Sequence, residues 1–123
     1  MREDNNEEKK TKINFSSKIN TFACSTGERI VKGKIDRNIR FAKAQKIREW
    51  KNDHGREYCE ACGTNQGRID CSHIISVKNA QNTGRTELAW QVANIKLHCA
   101  KCHADIERKT NQEREAIYKL LNS

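Results

Sequence analysis

The chain has 123 residues, 35% of them hydrophobic and 33% charged, with a formal charge of +8 and six cysteines. So little apolar material can build one small domain but not a large core, which excludes stability by hydrophobic burial alone and calls for a second stabiliser. No apolar run approaches the ~20 residues that cross a bilayer, and the opening MREDNNEEKKTK lacks a secretory h-region; a cytoplasmic protein with no membrane partner is expected, its cysteines serving as metal ligands, not as disulfides.

Residues 1–12 form a polar, non-periodic stretch that reads as a disordered tail. Its four acids cancel its four bases, so the positive excess lies wholly in residues 13–123. That balance suits a polyanionic partner such as nucleic acid, although many basic proteins bind nothing specific. Residues 13–35 show short apolar pairs broken by Ser, Thr and Gly, a pattern of extended or irregular structure to which no function attaches. Cys24 has no cysteine at ligand spacing and reads as a buried or free thiol.

From Asp36 the pattern becomes helical over about residues 36–52, with Asp36 as the expected cap and Ile39, Ala42, Ile47 and Trp50 on one side. Arg37, Arg40, Arg48 and Lys51 gather on the other, where they can meet phosphates or simply face water. Residues 13–56 thus form an N-terminal extension to a domain over 57–123.

That domain opens with YCEACG, carrying Cys59 and Cys62, and 36 residues intervene before LHCAKCH, carrying Cys99 and Cys102. Two C-x-x-C hooks offer four thiolates to one tetrahedral zinc, which closes the site and makes it structural. Their separation exceeds the roughly 15–20 residues of a compact zinc ribbon, so a subdomain is expected between them. RIDCSHIIS within it reads as a strand with Ile69, Cys71, His73 and Ile75 on one face. The polar, Gly- and Asn-marked VKNAQNTGRTELAWQVAN reads as a long loop with short order near ELAW. NIKLHC is then a second strand, and a helix starts at Ala100. A last helix follows Thr110, with a capping box to Glu113 and an apolar stripe of Ala116, Ile117, Leu120 and Leu121 that is expected to cover the core.

CEAC, SHIIS and AWQVANIKLHCAKCH, in that order over roughly Glu57 to Lys109, resemble the HNH endonucleases. The resemblance implies an α+β fold with a small ββα-metal (His-Me finger) core stapled by the four-cysteine zinc and flanked by helices. It sets the family's first histidine on His73, its asparagine on Asn94 and its last histidine on His103. Its members are frequent in phages and mobile elements, which implies a host cytoplasm. The implied partner is DNA, cut or nicked by metal-assisted hydrolysis with a catalytic Mg²⁺, Mn²⁺ or Zn²⁺ beside the structural zinc, leaving 5′ phosphates.

Elementary chemistry gives each position a reason. A neutral imidazole accepts a proton from water near neutral pH, a role for His73 as general base. An amide at Asn94 can bridge strand and loop and so hold His73 in place. His103 is the expected ligand of the ion that neutralises the departing 3′ oxygen. One position departs from the family pattern: many members carry Asp just before the first histidine, and this chain has Ser72, a poorer ligand for a hard cation. Glu107, one helical turn after His103, and secondarily Asp70 are the carboxylates available to compensate. His54 and His98 are expected to be solvated or hydrogen-bonded, and Arg85 is a candidate phosphate contact. The alternatives are a zinc-stabilised nucleic-acid-binding module without catalysis, which Ser72 favours, and a zinc-stapled protein-interaction domain.

Overall fold

The computed structural model describes residues 20–123. The expected tail over 1–12, and the start of the extended segment, lie outside the described residues. Among those described, four α-helices and two small antiparallel sheets make a mixed α and β protein. No helix among them is long and apolar enough to cross a membrane.

The first sheet pairs β1 (Thr21–Ala23) with β2 (Arg29–Val31), so the segment expected to be extended is a short hairpin. β2 passes directly into α1 (Lys32–His54). The helix begins four residues before the expected cap: its N-cap is Val31, with no side-chain bond, and Asp36 lies one turn inside, paired with Lys32 at 2.7 Å. Continuity with the strand replaces the cap. Gly55, at φ +84°, ends the helix in a backbone conformation that a side chain would strain. The inward side of α1 buries Ile35 and Ala42 and also Lys46, whose amine meets Glu60 at 3.0 Å and lies over the Trp50 ring. This pair fastens the helix to the first cysteine hook.

The second sheet pairs β3 (Ile69–His73) with β4 (Ile95–Cys99), in register from Ile69 opposite Cys99 to His73 opposite Ile95. Both strands fall where alternation and β-branched residues put them. The outer edge of β4 is closed by Glu60: its N–H donates to the Leu97 carbonyl at 2.8 Å, and its carboxylate accepts from the Leu97 N–H at 2.7 Å. An edge strand is thereby covered without a third strand.

Between the strands the chain is more regular than a long loop. VKNAQN forms α2 (Val77–Asn82), capped by Ser76, whose hydroxyl accepts from the Asn79 N–H at 3.0 Å. Two 3₁₀ turns follow, Thr86–Trp90 and Val92–Asn94. Ile75, Ala80 and Leu88 form a buried cluster with Tyr118 packed against it.

After β4 come α3 (Ala100–Glu107) and α4 (Asn111–Leu121), the latter with the expected capping box between Thr110 and Glu113. The expected apolar stripe of α4 does not do the covering. Leu120 is 76% exposed and Leu121 50%, while the helix turns Tyr118 and the buried Arg114 inward. Arg114 wins that face because its guanidinium satisfies two buried carbonyls that no leucine can reach.

Candidate metal centre and adjoining cleft

Each C-x-x-C hook is shaped by backbone before any metal enters. In the first, the Cys59 N–H donates to the Thr64 carbonyl and the Gly63 N–H to the Cys59 carbonyl, both at 2.9 Å. Gly63 turns the chain back at φ +80°. In the second, Cys99 ends β4 and Cys102 stands in the first turn of α3. The four sulfurs, of Cys59, Cys62, Cys99 and Cys102, lie within 4.8 Å of one another.

A tetrahedron with metal–sulfur bonds of about 2.3 Å separates its sulfurs by about 3.8 Å. The Cys62 and Cys99 sulfurs are 3.8 Å apart. The donor set and its spacing therefore fit a structural metal such as zinc, and the remaining sulfurs need to close in by no more than about 1 Å. Electrostatics point the same way. Burial would raise the Cys59 thiol, but the N–H groups of Cys99, Cys62 and Ala61 outweigh it and hold it at about 6. Cys102 is pushed up to about 12, by burial first and then by the neighbouring sulfurs. Four thiolates this close repel one another, and a divalent cation is what lets all of them ionise.

His73 stands at the far end of β3 from this cluster. Its Nε2 lies 2.7 Å from the Ala89 carbonyl in the first 3₁₀ turn. A carbonyl only accepts, so Nε2 carries the proton and Nδ1 keeps its lone pair. Burial is the main force holding the imidazole below its ordinary pKa, with Lys43 and Arg114 acting the same way against the Ala89 bond and Glu107.

Asn94 is fully buried and spends its side chain on backbone: Oδ1 accepts from the Ile75 N–H at 2.8 Å, and Nδ2 donates to the carbonyls of Ile75 and Leu88 at 2.9 and 3.0 Å. It bridges Ile75, just after β3, to the turn that holds Ala89 and hydrogen-bonds to neither histidine. Its effect on His73 passes through those two segments.

His103 and Glu107 share one face of α3, with Nε2 and Oε2 3.5 Å apart. His103 borders a cleft of about 350 Å³ together with Ile69, Asp70 and Cys71 of β3 and Lys43 of α1. Alternation puts His73 on the same strand face as Ile69 and Cys71. Arg114 connects the two halves: its Nη2 is 3.7 Å from Glu107 and donates to the His73 carbonyl at 2.7 Å, while its Nε donates to the Ile74 carbonyl at 2.7 Å. Among the described residues no third His, Cys, Asp or Glu joins His103 and Glu107 closely enough to complete a metal cage. Asp70 is held at 2.8 Å by Arg68.

Other candidate positions divide. Arg37, Arg40 and Arg48 are exposed on α1 and have no acidic partner among the described residues, whereas Lys51 pairs with Glu57 at 3.2 Å. Arg85 is engaged by Glu115 through both terminal nitrogens. His54 stacks on Trp50, ring centroids 3.8 Å apart. His98 departs from expectation: it is 4% exposed and its Nδ1 has no partner. Ser72 points into the interior, 1% exposed, with its hydroxyl unpartnered, and so is turned away from the cleft.

Sequence reasoning missed Arg114, because an arginine between Glu113 and Glu115 on an amphipathic helix reads as solvated. It missed Lys43 for the same reason. Comparison of the chain with protein-family models, with curated proteins and with solved structures gives no match.

Proposed function

We propose that the protein is an HNH-type endonuclease that nicks or cuts DNA, with β3, β4 and α3 as a ββα-metal core and the four cysteines as its zinc staple. The observation that carries this reading is the tautomer that the Ala89 carbonyl fixes on His73, which leaves Nδ1 without a hydrogen bond among the described residues, on a strand whose Ile69 and Cys71 line the cleft with His103. In it, Nδ1 of His73 takes a proton from water as the water oxygen bonds to phosphorus. The Ala89 carbonyl holds the Nε2–H and steadies the imidazolium that forms. The phosphorus–O3′ bond breaks, the 3′ oxygen takes a proton from solvent, and a 5′ phosphate remains.

His103 and Glu107 are the residues that would hold the divalent ion. Such an ion supplies Lewis acidity to the phosphate and to the departing oxygen. One imidazole and one carboxylate leave most positions to water and substrate, a pattern suited to Mg²⁺ or Mn²⁺. Asn94 and Arg114 are positioning residues that hold the chain on either side of His73.

Incubating the zinc-loaded protein with supercoiled plasmid and Mg²⁺ or Mn²⁺ tests the reading. Nicking that His73→Ala abolishes is the expected result. The rival reading, a nucleic-acid-binding module without catalysis, is favoured by the inward-turned Ser72 and by the two-residue ligand set. Binding to DNA with no nicking under any of these ions would establish it instead.

A further inference from the structure

The basic residues of this domain differ in how their charge is used. Lys46 is neutralised by Glu60 at 3.0 Å, Arg68 by Asp70 at 2.8 Å and Arg85 by Glu115. Lys43 stands three residues before Lys46 on α1, is half-buried, and lines the cleft with Cys71 and His103. It makes no hydrogen bond or ion pair among the described residues. A partly desolvated ammonium that no acid among the described residues answers is poised for an external one.

Its charge acts on Cys71, which lines the cleft, and on His73 beyond it. Burial drives the His73 imidazole down and the Cys71 thiol up, and on both groups the Lys43 charge acts in the lowering direction. Lys43 therefore stands near both halves of the candidate site. Steps of three residues along α1 turn by about 60°, so Arg40 and then Arg37 continue the positive track from the cleft rim onto the outer face. Both are exposed, without acidic partners among the described residues. A track of that length suits a polyanionic backbone better than a single phosphate ion.

We propose that Lys43 is the phosphate-binding residue of this cleft, its ammonium taking a non-bridging oxygen of a nucleic-acid phosphodiester and fixing the backbone between His73 and His103. The identity of the backbone as substrate rests on the nuclease reading, whereas the binding itself needs no cleavage.

The experiment is fluorescence anisotropy of a short labelled DNA duplex with the zinc-loaded full chain and no other divalent ion, over a range of salt concentrations. Lys43→Gln is expected to weaken binding roughly three- to tenfold and to lower the slope of log K against log salt by about one. Lys43→Arg should keep both values, and Lys119→Gln, which removes an equal charge from the exposed side of α4, should leave them near wild type. Equal behaviour of Lys43→Gln and Lys119→Gln would overturn the proposal. So would failure of Lys43→Arg to retain binding while its melting temperature matches wild type. Plasmid nicking is scored separately: a wild type that never nicks but shows the Lys43 signature removes the nuclease and keeps the phosphate site. A wild type that nicks, with Lys43→Gln binding and nicking equally well, does the reverse.

Discussion

Replacing Asn94 by Ala removes three hydrogen bonds at once, those with the Ile75 N–H and with the Ile75 and Leu88 carbonyls, at a site with no exposure to solvent. Each such bond contributes about 1 kcal/mol net, which sets a floor of about 3 kcal/mol. Of the three backbone groups left behind, the Leu88 carbonyl still accepts from the Gln91 N–H, whereas the buried N–H and carbonyl of Ile75 are orphaned, at about 1–3 kcal/mol each unless water enters the vacated space. A loss of about 3–5 kcal/mol follows, a large share of the roughly 5–15 kcal/mol by which a domain is stable. Urea unfolding of the zinc-loaded variant, followed by the fluorescence of Trp50 and Trp90, measures it. Asn94→Asp should be no better, because its carboxylate would face two carbonyls where the amide had donated. The site should suffer as well: once the Thr86–Trp90 turn is untied from Ile75, the Ala89 carbonyl no longer has a fixed place beside His73. A loss below about 1 kcal/mol for Asn94→Ala would refute the bridging role, since it would mean that the Ile75 N–H and carbonyl find partners without the amide.

Stripping metal with a chelator should unfold the region between the hooks, because thiolate-bound zinc contributes about 10–16 kcal/mol in small zinc domains, as much as a domain's whole stability. Loss of the near-ultraviolet circular dichroism signal, restored by added Zn²⁺, is the expected readout. The His73 ring should titrate below its ordinary value of about 6.5 by proton NMR, since burial and the charges of Lys43 and Arg114 disfavour the imidazolium. The unfolded chain then takes up its proton first, so the contribution of His73 to stability is intact above pH ~6.5 and is lost as pH falls toward the lowered folded pKa; the acid limb of any nicking activity should lie below 6.5 for the same reason. Arg114→Met keeps an apolar stem but orphans the carbonyls of His73 and Ile74, and at about 1.5–3 kcal/mol per charged hydrogen bond it should cost about 3 kcal/mol or more in urea unfolding, with Arg114→Lys recovering part.

The parts of this molecule that could be read directly from sequence are those with strong local signals. Paired C-x-x-C hooks announce a four-sulfur cluster, and the geometry of Cys62 and Cys99 fits one. The β3 and β4 strands, and the Thr110–Glu113 capping box, likewise follow from neighbours a few residues apart. What was illegible depends on tertiary partners. α1 starts at Lys32 because β2 feeds straight into it, so no capping residue marks the spot. α2 carries a serine cap but is too polar for its periodicity to stand out; its burial of Ala80 against Leu88 appears only once the turns are folded. Arg85 and Arg114 look alike as sequence. One is answered by Glu115 and the other by buried carbonyls, and that distinction resides in the packing of α4.

The candidate site is held from two directions, and this bears on how it would fail. β3 begins at Ile69, opposite Cys99 of the sulfur cluster, and ends at His73, where Arg114 and Asn94 bind the carbonyls and N–H groups that follow. Five strand residues span about 13 Å between their first and last Cα atoms, and the eight residues of α3 rise about 12 Å. α3 packs along β3, so Glu107 at its end comes near the level of His73, and Arg114 can touch both. The position of His103 is tied to the sulfur cluster through its neighbour Cys102, whereas that of His73 is tied to Asn94 and Arg114. Loosening the cluster should displace His103 first, while substitution of Arg114 should displace His73 and leave the metal affinity of the four cysteines largely intact. Two sets of restraints, one at the sulfur cluster and one made of buried hydrogen bonds, thus act on the two ends of the candidate site, His103 near the first and His73 beside the second.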